Sequence, residues 1–247
     1  MKNRLTIIYF HEVVSIGEGF SYQKIEVDKF EKQMSYIQKK GYKTLFFSEL
    51  EEPLPEKSMI VSFDDGFRSV YENAYPIMKK YGIKANVYLP TKYIGNDRKF
   101  MNWDMVKELQ QTGLFEFAGH THTHVDIRTL TEKKIREEVE KSNIIMLEKL
   151  GYTPTAFCMP FGVFDKKSIN RVRKFEVYKY ILGSFYGMAK QTELKNRVLP
   201  RIGISNDDTE AVFQKKLEGK LNWKGKLQRI RLFLQNLMRK RITKYEY

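Results

Sequence analysis

The chain has 247 residues, of which 42% are hydrophobic, and a net charge of +14 at pH 7. This length suits one α/β barrel-sized domain with an appended segment. The single cysteine excludes an internal disulfide, and no apolar run approaches the roughly 18 residues of a membrane span. The first apolar run, Leu5 to Phe10, is shorter than the core of an export signal, about 7–15 residues, so we expect a strand there and a cytoplasmic protein.

Apolar runs alternate along the chain with segments of helical period. The expected strands are Leu5–Phe10, Lys43–Phe47, Met59–Phe63, Ala85–Leu89, Leu114–Ala118, Thr155–Met159, Tyr178–Leu182 and Arg197–Ile204. The expected helices are Asp28–Lys40, Ser69–Tyr81, Trp103–Thr112, Thr131–Leu150 and Asp165–Phe175. A glycine follows four of the helical segments, as expected at a helix end. The alternation of strand and helix predicts an α/β fold.

Two adjacent carboxylates, Asp64 and Asp65, follow the apolar run that ends at Phe63 and precede Gly66. The carboxyl ends of strands carry the sites of α/β barrels and sheets, so this position favours a functional pair. Because adjacent side chains on a strand point in opposite directions, we expect one carboxylate to bind a metal and the other to accept a proton from water. The structural alternative is a turn, in which aspartate is common.

Three of the four histidines occupy alternate positions, His120, His122 and His124. An extended chain would separate the backbones of the first and third by about 13 Å, too far for one ion with bonds of about 2 Å. Joint binding by His120 and His124 therefore requires a turn at residues 121–123, and the extended alternative pairs His120 with His122. Two histidines and a carboxylate are a recurring hydrolytic zinc site, whereas a solvated polar loop is the structural alternative.

Three short motifs, in this order, resemble those of the polysaccharide deacetylases, carbohydrate esterase family 4, also called the NodB-homology domain. They are Ser62-Phe63-Asp64-Asp65-Gly66, His120-Thr121-His122-Thr123-His124 and Cys158-Met159-Pro160-Phe161-Gly162. Ile7-Ile8-Tyr9-Phe10-His11 and Asn102-Trp103-Asp104 are most similar to the branch that deacetylates poly-N-acetylglucosamine of biofilm matrix. The resemblance implies an α/β fold over residues 1–215, a distorted (β/α) barrel of about seven parallel strands, circularly permuted relative to the main family.

The resemblance also implies the chemical groups of the reaction. Asp65, His120 and His124 match the ligands of one divalent metal, with Zn²⁺ expected first and Ni²⁺, Co²⁺ or Fe²⁺ as alternatives. Asp64 matches the general base, and His11 matches the histidine that protonates the departing amine.

The same resemblance places four residues around the oxyanion and the substrate. Pro160 and Phe161 match the loop whose backbone amide, at Phe161, stabilises the oxyanion. Trp103 belongs to a motif of the poly-N-acetylglucosamine branch, and we expect it at the substrate. His122 falls at a variable position and is interpreted as a neighbour of the ligands or a substrate contact.

One position departs from the family pattern. Many members have arginine where Cys158 stands, and that arginine pairs with a further aspartate to tune the base. Arg201 is our candidate to replace it from another strand. Cys158 itself is expected to be a small buried residue, since a metal-dependent reaction needs no thiol.

The segment from residue 216 to 247 is expected to be a basic amphipathic helix appended to the barrel. From Lys220 onward it contains nine basic residues and one acidic residue. A helix from Asn222 to Lys240 would gather a set of apolar side chains on one side, between basic flanks. They are Trp223, Leu227, Ile230, Phe233, Leu234, Leu237 and Met238. Such a helix suits an anionic membrane surface. The alternatives are packing on the barrel or on another subunit. No nucleic acid is expected as a partner, because no nucleic-acid recognition motif accompanies the charge.

These patterns together predict a metal-dependent N-deacetylase that acts on N-acetylated sugars of a bacterial-type surface polysaccharide or of its lipid-linked precursor. The protein would be cytoplasmic, or peripheral on the inner face of the membrane. One alternative is a glycan-binding pseudoenzyme that has kept the fold, favoured by the missing arginine at Cys158. Another is a hydrolase of a different acyl group, such as formyl.

Overall fold

A mostly parallel sheet forms the centre of the fold in the computed structural model, which describes residues 4–17, 23–50 and 53–242. The first six strands of the described chain are β1 (Arg4–Phe10), β2 (Glu12–Val14), β3 (Lys24–Glu26), β4 (Lys43–Thr44), β5 (Ser58–Phe63) and β6 (Ala85–Leu89). The later ones are β7 (Phe115–Gly119), β8 (Ala156–Cys158), β9 (Tyr180–Leu182), β10 (Ala189–Lys190), β11 (Val198–Leu199) and β12 (Ile202–Gly203). Strands β2 and β3 pair with each other, apart from the main sheet.

Seven α-helices are present in the described part of the chain, and most of them connect successive strands. They are α1 (Val27–Lys39), α2 (Tyr75–Tyr81), α3 (Trp103–Gln111), α4 (Glu132–Leu150), α5 (Lys166–Arg173), α6 (Glu210–Leu217) and α7 (Trp223–Ile242). Within this part of the chain, no helix has the length and apolar character needed to cross a bilayer.

The sheet closes into a barrel through a break in its last predicted strand. The parallel order runs β1, β5, β6, β7, β8, β9, β11, and β12 then pairs in parallel with β1, with Ile202 opposite Ile8. Only Pro200 and Arg201 separate β11 from β12, so the chain steps there from one end of the sheet to the other. Because proline cannot donate a backbone hydrogen bond, Pro200 interrupts the single strand predicted over 197–204. The prediction of a distorted parallel barrel is confirmed.

Barrel strands are buried on both faces, as parallel strands covered by helices should be. In β5, Met59, Val61 and Phe63 pack with the helix layer, whereas Ile60 packs with the cluster inside the barrel. The inner cluster also contains Tyr88 and Cys158, and Cys158 is fully buried as predicted.

The helices begin and end close to the residues predicted from the sequence, with two differences. Helix α1 begins at Val27 with Glu26 as its cap, so Asp28 lies in the first turn and does not start the helix. The segment predicted as one helix over 69–81 begins with a wide π-helical stretch, Val70–Ala74, before α2. Pro76 lacks the amide hydrogen that a continuous α-helical ladder needs at this junction. Thr131 caps α4, as predicted, by accepting a hydrogen bond from the backbone of Lys134.

Candidate active site

The predicted site residues gather at the carboxyl ends of the barrel strands, where α/β barrels carry their sites. His11 follows β1, Asp64 and Asp65 follow β5, and the histidine motif follows β7. Phe161 lies in a short helical turn after β8, and Arg201 lies in the break between β11 and β12.

Asp65, His120 and His124 form a compact group whose ligand atoms all lie within 4.8 Å of one another. The Oδ1 atom of Asp65 is 3.5 Å from Nε2 of His120 and 3.2 Å from Nε2 of His124. Bonds of about 2.0–2.1 Å in tetrahedral geometry would place neighbouring ligand atoms about 3.3 Å apart. The observed spacing therefore suits three ligands around one small divalent ion.

The contacts of His120 direct its second ring nitrogen toward Asp65. His120 donates from Nδ1 to the backbone carbonyl of Cys158 at 2.8 Å, which leaves Nε2 facing Asp65. The Oδ1 atom of Asp65 is buried and has no hydrogen-bond partner among the described residues. A buried acceptor facing two imidazole nitrogens is unfavourable unless a cation lies between them, so the residues fit a bound metal.

Asp65 and His124 have the protonation states that suit metal binding. Burial opposes ionisation of Asp65, yet the imidazole of His120, followed by that of His124, lowers the pKa of Asp65 to about 2. Burial, together with the charge of His120, lowers the pKa of His124 to about 4. At pH 7, Asp65 is therefore an anion and His124 a neutral imidazole, the forms that bind metal. Burial opposes protonation of His120, but the groups beside it, Asp65 among them, raise its pKa well above the usual value, so a metal would displace a proton there.

The chain turns between His120 and His124, as their joint binding requires. Thr121 and His124 have positive φ angles of 64° and 54°, unusual for residues with side chains. Glu138 of α4 holds the turn, because its carboxylate accepts from the amides of His122 and Thr123 at 3.0 and 2.8 Å and from the Thr123 hydroxyl at 2.8 Å. The extended pairing of His120 with His122 is thereby excluded.

A second strained position lies at the end of β5. Asp65 has a φ of 69°, and Gly66 follows with a φ of 68°. A Cβ atom at Gly66 would lie 2.6 Å from the Leu89 side chain, so only glycine fits this close approach. This sharp turn directs Asp65 toward the histidines while Asp64 points elsewhere, consistent with different functions for the two aspartates.

Asp64 faces Arg201 instead of the histidines. Arg201 donates from its two terminal nitrogens to the two carboxylate oxygens of Asp64 at 2.6 and 2.9 Å. It donates further to the Ser184 hydroxyl at 2.9 Å and to the Gly183 carbonyl at 3.1 Å. The structure thus brings Arg201 to Asp64 from the break between β11 and β12, as a partner that Cys158 does not supply.

The guanidinium of Arg201 is enclosed as well as paired. It lies 4.3 Å from the ring centre of Tyr9 and 5.4 Å from that of Tyr88, and the residue is 1% exposed. Burial raises the pKa of the Asp64 carboxyl, but the charge and hydrogen bonds of Arg201 outweigh it and hold that pKa below its usual value. Asp64 is therefore ionised at neutral pH despite its burial.

A second group of possible ligands, Asp64, His120 and Cys158, is less suitable for a metal. Both oxygens of Asp64 already accept from Arg201, so a cation there would lie beside a buried guanidinium. His120 is shared by the two groups, and its Nε2 points at Asp65. We therefore assign the metal position to Asp65, His120 and His124.

His11 lies next to Asp64, and Phe161 lies next to His124. Nε2 of His11 lies 3.9 Å from Oδ2 of Asp64, and its ring meets that of Tyr9 edge-on at 5.8 Å. Phe161 has a φ of 58° and a side chain that is 62% exposed, with its ring centre 4.5 Å from that of His124. The exposed ring marks the open side of the site.

Three further predicted site residues make their contacts away from the two aspartates. His122 bonds through Nδ1 to the Thr91 hydroxyl at 2.9 Å and is not part of either ligand group. Trp103 begins α3 and packs against the barrel core, and Pro160 starts the turn that carries Phe161. A substrate contact for His122 or Trp103 stays a prediction.

Four residues that sequence reasoning did not select support the site. Tyr9 and Tyr88 enclose Arg201, Ser184 accepts from it, and Glu138 holds the histidine turn. Only Tyr9 had a signal in the sequence, since it precedes His11 by two residues and therefore shares its face of the chain.

Comparisons with known proteins identify a family for the chain. The family described as "Polysaccharide deacetylase" matches residues 51–180, just over half of the chain. A poly-beta-1,6-N-acetyl-D-glucosamine N-deacetylase of Staphylococcus aureus is 27% identical over 234 residues, covering 84% of this chain and 76% of the relative. The YxkH protein of Bacillus subtilis is 28% identical over 177 residues. The matched region covers 69% of this chain but only 61% of the length of the relative.

Solved structures share the fold at lower identity. A Streptococcus pyogenes deacetylase in complex with acetate superposes with a TM-score of 0.79 at 21% identity, covering 88% of this chain and 99% of that chain. IcaB from Ammonifex degensii superposes with a TM-score of 0.74 at 21% identity, covering 87% of this chain and 96% of that chain. By its sequence match, the chain belongs to the polysaccharide deacetylase family, and it is a hydrolase of that class.

Proposed function

We propose that the protein is a metal-dependent N-deacetylase that removes acetyl groups from N-acetylglucosamine units of a surface polysaccharide. The observation that carries the proposal is the pairing of two neighbouring aspartates with different partners. Asp65 completes a ligand group with His120 and His124, and Asp64 beside it is held ionised by Arg201. A polarising cation and a general base are the two groups that amide hydrolysis by water requires.

Asp65, His120 and His124 would hold the metal, and Zn²⁺ is the first candidate because two imidazoles and a carboxylate are a frequent catalytic zinc set. Ni²⁺, Co²⁺ and Fe²⁺ accept the same donors and are alternatives. When bound, such an ion polarises the amide carbonyl and lowers the pKa of water from about 15.7 towards about 7.

The other side chains supply the proton transfers. Asp64 accepts a proton from the attacking water as the new C–O bond forms. His11, whose Nε2 lies 3.9 Å from Asp64, donates a proton to the nitrogen as the C–N bond breaks. The backbone amide of Phe161 donates to the oxyanion that forms from the carbonyl oxygen. The products are acetate and a free amino sugar.

The relatives support N-acetylglucosamine as the sugar. The Staphylococcus aureus relative acts on poly-beta-1,6-N-acetyl-D-glucosamine by its name, and its similarity covers 84% of this chain. A nascent lipid-linked glycan is the second substrate we propose. That substrate would place the enzyme in the cytoplasm, peripheral on the inner face of the membrane, whereas a finished polymer would place it with the exported glycan.

The pseudoenzyme alternative loses the observation that favoured it. That alternative rested on the absence of arginine at Cys158, and Arg201 pairs with Asp64 instead. A hydrolase of another acyl group remains an alternative, since the contacts described here select no particular acyl chain.

Acetate release from β-1,6-linked N-acetylglucosamine oligomers tests the proposal. We expect release by the purified protein, its loss after chelation, and its recovery on addition of Zn²⁺, Ni²⁺, Co²⁺ or Fe²⁺ in separate reactions. The same oligomers carrying N-formyl groups form the comparison arm. Faster release of formate would assign another acyl group, and binding of the oligomers with no acyl release would restore the pseudoenzyme reading.

A further inference from the structure

Helix α7 exposes its apolar side chains instead of burying them. Within the described part of α7, seven large apolar residues are 43–66% exposed. They are Trp223, Leu227, Ile230, Phe233, Leu234, Leu237 and Met238. At 100° per residue most of these positions share one side of the helix, centred near Leu234. A continuous apolar face of this kind on a surface helix indicates a partner.

The opposite side of α7 contacts the barrel through polar groups and a glycine. A Cβ atom at Gly225 would lie 1.8 Å from the Tyr186 carbonyl oxygen, so the helix backbone touches the barrel there. Gln228 accepts from the Tyr186 amide at 2.5 Å. Asn236, three turns after Gly225, accepts from Arg128 at 2.8 Å and donates to the Phe164 carbonyl at 2.9 Å. These contacts fix the rotation of the helix and turn its apolar face outward.

The anchoring loops are those that carry the site. Arg128 lies in the loop after His124, and Phe164 lies in the loop after Phe161. Tyr186 follows closely on Ser184, which accepts a hydrogen bond from Arg201. Helix α7 is therefore attached to the rim of the active site, at the carboxyl end of the barrel.

The charge around the apolar face identifies the kind of partner. Lys224 and Arg231 flank the face, Lys226 lies within its other margin, and all three are exposed. The sequence contains no acidic residue between Glu218 and Glu246. A second copy of the same face would bring these cations together with no acidic partner on the helix. An anionic surface matches both the apolar face and its basic flanks.

We propose that the outward face of α7 docks on an anionic phospholipid surface and holds the rim of the active site at that surface. The docking itself requires no catalysis, whereas its consequence for the glycan rests on the proposed function. A site held in this way is positioned for glycan chains that emerge at, or are attached to, the bilayer.

Sedimentation of the full-length protein with vesicles tests the docking. We expect binding to phosphatidylcholine vesicles that contain phosphatidylglycerol, weaker binding to phosphatidylcholine alone, and partial release as salt rises. The double variant Ile230→Glu, Leu234→Glu should reduce binding by about tenfold or more, because it places two anions on the apolar face. Leu147→Glu, at an exposed apolar position of α4, is the matched control and should bind as the wild type does.

Acetate release from soluble oligomers separates this proposal from the proposed function. Wild-type rates in the double variant would show that the fold is intact and that only docking is lost. Vesicle binding without acetate release would keep the docking and reject the proposed function. Wild-type protein that ignores acidic vesicles at low salt, equal loss in the Leu147→Glu control, or a dimer that the double variant dissociates would each overturn the docking.

Discussion

The two sides of the active site differ in how their buried polar atoms are satisfied. On the side of Asp64, both carboxylate oxygens accept from Arg201, and two tyrosine rings enclose the pair. On the side of Asp65, a buried carboxylate oxygen faces two imidazole nitrogens and has no hydrogen-bond partner among the described residues. The hydrogen bonds of the first side are complete within the chain itself, and the second side has the donor atoms of a possible cation site.

Under the proposed function, this difference gives two adjacent residues of the same type separate functions. A carboxylate held by an internal cation keeps its charge and can exchange a proton, whereas a carboxylate that converges with imidazoles offers its charge to a metal. The turn at Asp65 and Gly66 creates the difference, because it points the two side chains toward opposite partners. Local backbone geometry at the end of β5 therefore decides which partners each aspartate meets.

The largest loss of activity is expected when one of the two imidazoles that face Asp65 is removed. His124→Ala should lose bound metal and, with it, acetate release, because the ligand group would fall to two protein donors. His122→Ala is the matched control, since His122 bonds to Thr91 outside the ligand group. Elemental analysis of the two purified variants measures the metal that each one retains. Equal metal loss in both would show that the wrong pair of histidines has been assigned.

On the side of Asp64, the expected effect is a lower free energy of unfolding. Arg201→Met leaves the Asp64 carboxylate buried without its cation and should lower the free energy of unfolding by about 3–5 kcal/mol. Arg197→Met, in the same segment, removes an arginine whose ion pair with Glu193 is exposed and should cost about 0–1 kcal/mol. Urea unfolding of both variants gives the comparison. If they were equally stable, the Asp64–Arg201 pair would not be the buried, coupled unit described above.

A smaller effect is expected from the residue that supports the histidine turn. Glu138→Gln keeps the shape of the side chain but removes its charge and one acceptor, so metal affinity should fall by about 10–100-fold. Glu137→Gln alters an exposed neighbour on α4 and should leave the affinity unchanged. Competition with a chelating dye measures both affinities, and an unchanged value for Glu138→Gln would mean that the turn holds without it.

Much of the fold could be predicted because strands and helices differ in their hydrophobic period. The strand over Ala85–Leu89 was predicted with its observed bounds. The strand over 43–47 proved shorter, since Phe47 turns into the barrel interior and packs against Tyr180 at 5.4 Å. The split of the last predicted strand depends on closure of the barrel. Closure is a long-range property, so local hydrophobic periodicity does not predict it.

The site could be predicted as far as its motifs extend along the chain. The metal ligands and Asp64 lie in short motifs, and the required turn between His120 and His124 followed from distance alone. Ser184, Tyr88 and Glu138 lie far from those motifs in sequence and meet them only through the fold. The rotation of α7 was also beyond the sequence, because a helical pattern identifies an apolar face without fixing which face meets the barrel.

Metal content and acetate release of Asp64→Asn and Asp65→Asn, measured side by side, test the division of functions most directly. Both variants replace one carboxylate by its amide at adjacent positions. We predict that Asp64→Asn keeps its metal and loses about 10²–10⁴ in rate, while Asp65→Asn loses the metal itself. Equal metal content in the two variants, or an Asp64→Asn enzyme with the wild-type rate, would contradict the account.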